Sequence, residues 1–217
     1  PKTEPKTEPK DKSGFFLLTN QMNLVQVLAS RMIQPRAGHH EYSDDLLQYC
    51  PSRLPLWTDS VPENVVKRMT PENADVYPVL VELDPNSLKG TKIPAIDSKL
   101  ELTTTSVPKI KAGIKCVLPG AVIPAASILG IHFPSNENLE DFKVRAAMFG
   151  NIDLKSFFFS ASPKFFKGDA LDVELLLEKL ESIPAIENLE SPAFYRRLDA
   201  LAGSMLAWSI FLPRTKE

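Results

Sequence analysis

Nineteen prolines punctuate a chain of 217 residues, which argues for short strands and elaborate loops rather than a regular barrel. Proline fixes φ and removes a ladder donor, so long uninterrupted strands are not available to such a chain. A membrane helix needs ~20 apolar residues in a row. The longest apolar region, Cys116–Phe133, is interrupted by Pro119, Gly120, Pro124 and Gly130. Hydrophobic residues still make up 43% of the chain, enough for a sizeable core. Charge nearly cancels, with 25 Lys and Arg against 27 Asp and Glu. A non-specific nucleic-acid binder would show a basic excess, although a local basic patch stays open.

The first fourteen residues, PKTEPKTEPKDKSG, repeat Pro-Lys-Thr-Glu twice and hold nothing that can bury surface. They read as a disordered tail or linker. With no apolar stretch there for a signal peptide, the expected location is cytoplasmic. The chain begins at Pro1 rather than Met, as a fragment or processed product would. Residues 15–217 read as one α+β domain, mainly strand-bearing over 15–165 and helical over 166–217.

Order is expected from Phe15. Phe15–Leu18 is a short apolar run, and Thr19-Asn20 supply cap residues. Leu24, Val27, Leu28 and Met32 then recur at helical spacing until Pro35. A short helix is expected near Ser43–Tyr49. Strands are expected at Tyr77–Leu83, Leu100–Thr104, Ile114–Leu118, Ile128–Phe133 and Ser156–Ser160. A helix capped by Asp169 carries Leu171, Leu175, Leu176, Leu180 and Ile183 on one stripe. Another opens at Ser191-Pro192. Strands flanked by helices, without βαβ alternation, give an α+β class with short-stranded central sheets. Cys50 and Cys116 form no metal-ligand spacing and read as two buried thiols, with a single disulfide as the alternative.

Three polar clusters are candidates for chemistry. Thr19 and Asn20 sit where a strand meets a helix N-terminus, a place that can hold an anion; simple capping by Asn20 is the structural alternative. Arg36, His39 and His40 fall in the densest polar run, which also contains Glu41. Adjacent residues point in different directions, so His39-His40-Glu41 is no recognised metal motif, and a metal-dependent hydrolase is a lesser reading. Arg53 could clamp a phosphate with Trp57 stacking on a base, or Trp57 could pack under the proline-rich loop. No phosphate loop, serine elbow or kinase signature appears, and Glu140-Asp141 reads as a surface segment.

The run Phe15–Ile33, FFLLTNQMNLVQVLASRMI, weakly resembles the opening of DarT-like and related ADP-ribosyltransferase folds. Val76–Asp84 and Ile114–Phe133 are similar to later strands of the same fold. The resemblance implies a strand ending in a Thr-containing motif followed by a helix. It also implies two departures. Leu17 stands where the family has a NAD-holding His, and Lys115 where it has the catalytic Glu that stabilises the oxocarbenium-like transition state. No motif demands a cofactor, and a NAD-like nucleotide is the ligand the resemblance admits.

Two function classes follow. One is a non-catalytic interaction or ligand-binding module of a larger intracellular assembly, by architectural analogy a bacterial defence system, whose partner is another protein or domain. The other is an enzyme modifying nucleotides or nucleic acid with an unusual residue set. Neither involves a membrane.

Overall fold

The computed structural model describes residues 14–35, 46–70, 76–88, 92–107, 110–148 and 152–186. Arg36, His39, His40, the tail before Gly14 and the helix expected at Ser191-Pro192 lie outside the described residues.

The first strand, β1 (Phe15–Asn20), is buried on both faces, which explains its unbroken apolar run. Helix α1 (Gln21–Ser30) follows directly. Asn20 is its N-cap, with extended backbone and its side chain accepting from the Asn23 N–H. The helix ends two residues before the expected Met32, because Arg31 takes a left-handed conformation at φ 58°. The Ser30 hydroxyl then bonds the Val27 and Met32 carbonyls, and β2 (Met32–Ile33) begins. The remaining strands are β3 (Leu56–Trp57), β4 (Pro78–Leu83), β5 (Lys92–Asp97), β6 (Leu102–Ser106), β7 (Ile114–Val117), β8 (Ile123–Pro124), β9 (Ile128–Phe133) and β10 (Phe159–Ala161). The remaining helices are α2 (Glu63–Met69), α3 (Asn136–Ala146) and α4 (Val173–Glu181).

Eight strands form one mixed sheet in the order β10-β9-β4-β1-β3-β7-β5-β6, while β2 and β8 make a separate pair. Every pairing is antiparallel except β9 with β10. Period-2 alternation sends Phe15, Leu17, Leu56, Val81 and Val117 to one face, into a core with Leu24 and Leu28 of α1 and Leu139 and Phe142 of α3. Phe16, Leu18, Trp57, Leu80 and Cys116 face the other way, against Val65 of α2 and Leu176 and Leu180 of α4. The class is α+β, with helices on both faces of the eight-stranded sheet.

Several local expectations are corrected. The cap of α4 is Asp172, accepting from Leu175 N–H at 3.1 Å, rather than Asp169. Glu140 and Asp141 do lie at the surface, and the segment that carries them is α3, capped by Ser135. Of the segment Ser43–Tyr49 only residues 46–49 are described, and they include a 3-10 turn at Leu46–Gln48. Strand β5 was not anticipated, since Pro94 argues against a strand; Pro94 sits there between β7 and β6, accepting from Leu118 N–H. Cys50 and Cys116 form no disulfide and are buried, and burial pushes the Cys116 thiol well up. Among the described residues, no helix is long and apolar enough to cross a membrane.

Candidate functional site

The junction of β1 and α1 collects buried polar groups with nothing to bond. Thr19 pairs with Val79 and Asn20 with Pro78, whose missing N–H closes the ladder there. Asn20 Oδ1 accepts from Asn23 N–H at 2.9 Å. That leaves Thr19 Oγ1, Asn20 Nδ2 and both amide atoms of Asn23 buried without a hydrogen-bond partner among the described residues. Gln26 Oε1, one turn on from Asn23, is in the same state. Thr19, Asn20 and Asn23 are 6%, 3% and 0% exposed, so bulk water does not satisfy them.

An unsatisfied buried polar group costs about 1–3 kcal/mol, and native structures keep few of them. Those of Thr19, Asn20 and Asn23 fall within one short stretch of sequence and offer both donors and acceptors. They lie at the positive end of a ten-residue helix with no acidic residue in its first turn. An anionic or strongly polar ligand is what such a place can recognise. Gln21 is committed elsewhere, accepting from Tyr77 N–H at 2.9 Å.

Arg53 leads into β3, the strand beside β1. Leu56 opposes Leu17, so residues before it run toward the Thr19 end. Arg53 Nη1 donates to the Leu118 carbonyl at 3.3 Å, its buried Nε has no partner, and no hydrogen bond joins it to Thr19 or Asn20. It instead lines a concavity of about 270 Å³ with Lys92, Pro94, Pro119 and Ile186. Trp57 is 1% exposed within the core, so it is not available for stacking on a base.

Lys115 does not stand beside Thr19. It opposes Thr58, whose N–H donates to the Lys115 carbonyl, and so lies level with Phe15. Thr19 and Lys115 share a face of the sheet but are two strands and four residues apart. That is roughly 16 Å of backbone at ~3.3 Å per residue and ~4.8 Å per strand. The face between them is filled: Leu17, Leu56 and Val117 are each 1% exposed or less.

The opposite face holds a relay that sequence reasoning missed. His132 Nε2 lies 2.9 Å from Glu82 Oε2, and its Nδ1 lies 2.8 Å from Ser160 Oγ. Ser160 Oγ is in turn 2.9 Å from Ser162 Oγ. Strands β4, β9 and β10 supply one member each, since Ser160 opposes His132 and Glu82 opposes Gly130. The imidazole is 5% exposed and packs against the rings of Phe16 and Phe165, which also touch each other. The three residues are far apart in sequence, so only the strand order unites them. Among the described residues, no group of three or more His, Cys, Asp or Glu side chains could hold a metal ion; His39-His40-Glu41 lies outside them.

No family model and no curated protein matches the chain. Among solved structures, Thermus sp. 2.9 DarT in complex with carba-NAD+ is similar at a TM-score of 0.52. The two share 9% sequence identity, over 73% of this chain and 100% of the other. At that identity the likeness is one of fold. The fold is similar to that of DarT, in agreement with the weak resemblance of the sequence to DarT-like folds.

Proposed function

We propose that this chain is a nucleotide-binding module on an ADP-ribosyltransferase-like scaffold, working without transferase chemistry as one part of a larger assembly. The observation that carries the reading is the set of buried, unpaired polar atoms on Thr19, Asn20 and Asn23 at the N-terminus of α1. The similar Thermus structure holds a NAD analogue. A NAD-like nucleotide offers phosphates to the helix N-terminus and polar edges to the amides. Two features favour binding without transfer. Leu17 stands where the resemblance has the NAD-holding His, and Lys115, which the resemblance sets at the catalytic Glu, lies two strands from Thr19 with aliphatic side chains filling the face between.

The test is calorimetric melting of the full chain with NAD+, run beside an assay for consumption of labelled NAD+. Binding at a hundred times Kd stabilises by ~2.7 kcal/mol, a rise of roughly 5–10 °C in Tm. That rise is expected for the wild type, is lost in Asn23→Leu, and comes without NAD+ consumption. Steady consumption would overturn the non-transferring reading. An unchanged shift in Asn23→Leu, or no shift in the wild type, would overturn the assignment to this junction.

A further inference from the structure

We propose that Glu82, His132 and Ser160 form a second, catalytic site, a serine nucleophile that cleaves esters with an apolar acyl or aryl group. It lies on the face of the sheet away from Thr19 and is independent of the nucleotide reading.

The order of contacts is nucleophile, base, orienting acid. A carboxylate only accepts, so Glu82 Oε2 at 2.9 Å holds the imidazole proton on Nε2. Nδ1 is then the ring's lone pair, and it faces Ser160 Oγ at 2.8 Å, within reach to take the hydroxyl proton. The ring is turned relative to the usual serine triad, with Nδ1 rather than Nε2 toward the serine; such a set is recognised by roles and geometry.

Two glycines make room for this pair. A Cβ on Gly130 would stand 3.2 Å from His132 Nε2 and 3.4 Å from Glu82 Oε2, and one on Gly14 would stand 2.7 Å from Glu82 Oε1. A hydrogen bond needed only to hold the sheet would not require both neighbouring strands to be bare beside the carboxylate.

The serine is also approachable. Strand β10 is the outermost strand, and Ser160 is only partly buried. The bonds from Ile131 N–H to Phe158 O and from Ser162 N–H to Phe133 O fix which residues face β9. By the alternation of a parallel ladder, Ala161, next after Ser160, turns its N–H to the open edge. A backbone N–H following the nucleophile is a suitable oxyanion donor. Phe158 is 65% exposed and two residues from Ser160, so its ring is an apolar platform on the same face.

The reaction balances without a cofactor. Ser160 Oγ bonds to the ester carbonyl carbon while its proton moves to His132 Nδ1. The bond to the leaving alcohol breaks, and that oxygen takes the proton from Nδ1. Water, deprotonated by the same nitrogen, then releases the acid and restores the serine.

The full chain is treated with a fluorophosphonate probe, in which Ser160 Oγ displaces fluoride from phosphorus, and the adduct is located by peptide mass spectrometry. Labelling is expected at Ser160 and is abolished in Ser160→Ala. It is retained in Ser156→Ala, an exposed serine outside the relay, and slowed at least ~100-fold in His132→Gln. Glu82→Gln, whose amide lets the ring proton shift to Nδ1, is the second variant should His132→Gln not fold, and is expected to slow labelling too. Hydrolysis of p-nitrophenyl butyrate is expected to outpace that of the acetate, a preference that Phe158→Ala removes. No adduct at Ser160 in the folded chain, or equal rates in both the His132 and Glu82 variants, would overturn the site. A lack of chain-length preference would overturn the substrate class.

Discussion

Asn20 holds the first turn of α1 through the backbone N–H of Asn23 at 2.9 Å, while the Asn23 side-chain amide is left fully buried and unpaired. Among the described residues, adjacent groups of one motif therefore have opposite energetic signs. The Asn20 cap stabilises the helix by about 1 kcal/mol. The Asn23 amide, desolvated at both atoms, costs about as much or more.

Replacing Asn23 by Leu removes two unsatisfied atoms without touching the cap, because the capping bond uses the Asn23 backbone. The expected result for the ligand-free protein is a gain of about 1–2 kcal/mol, or roughly 2–8 °C in Tm. Asn20→Ala should move in the opposite direction by about 1 kcal/mol. Scanning calorimetry of both variants decides it. A lower Tm for Asn23→Leu would mean that the buried amide is already satisfied, and it would count against a ligand site there. Stability given up at a polar position is what a binding site predicts.

The same motif shows what was legible beforehand. Thr19-Asn20 marked the strand-to-helix junction because capping is a local affair of three or four residues. Strands β4, β7 and β9 were legible as apolar runs bounded by turn residues. Helix α3 was not, although Leu139, Phe142 and Ala146 form a stripe behind the Ser135 cap; its otherwise polar composition hid it. Strand β5 was hidden by Pro94. The Glu82–His132–Ser160 relay left no signal at all, since its members meet only through a sheet order in which β4, β9 and β10 are neighbours. The same global order separates Thr19 from Lys115.

Tyr77 ties α3 to the sheet, and its chemistry gives a pH signature. Its hydroxyl donates to Asp141 Oδ2 at 2.9 Å, and Arg145 Nε donates to the other carboxylate oxygen at 2.7 Å. Burial, and then the hydrogen bond and charge of Asp141, push the Tyr77 hydroxyl far above the ordinary tyrosine range. An unfolded tyrosine loses its proton near ~10. The native state keeps its proton longer, so this stabilisation is complete below that pH and is lost as pH rises through it. The slope approaches ~1.4 kcal/mol per pH unit. Tyr77→Phe should cost about 1 kcal/mol at neutral pH and flatten this part of the alkaline decline. Urea midpoints between about pH 9 and 11 make the comparison; parallel declines in the two proteins would show that Tyr77 is not held in its neutral form.

Lys115 offers the sharpest check on whether the scaffold is one residue short of being a transferase. If chemistry were missing only for want of the acid, Lys115→Glu would restore NAD+ consumption. The geometry argues otherwise. The residue lies roughly 16 Å from Thr19 by strand spacing, with Leu17, Leu56 and Val117 sealing the intervening face. Electrostatic stabilisation of an oxocarbenium-like transition state requires the carboxylate beside the reacting carbon, and a loss of about 1 Å in placement already weakens catalysis severely. Lys115→Glu should therefore leave labelled NAD+ as intact as the wild type does, even when NAD+ still raises the Tm. Consumption that appears with this single change would place the acid within reach of a bound nucleotide, and the filled face between Thr19 and Lys115 would then have to open on binding.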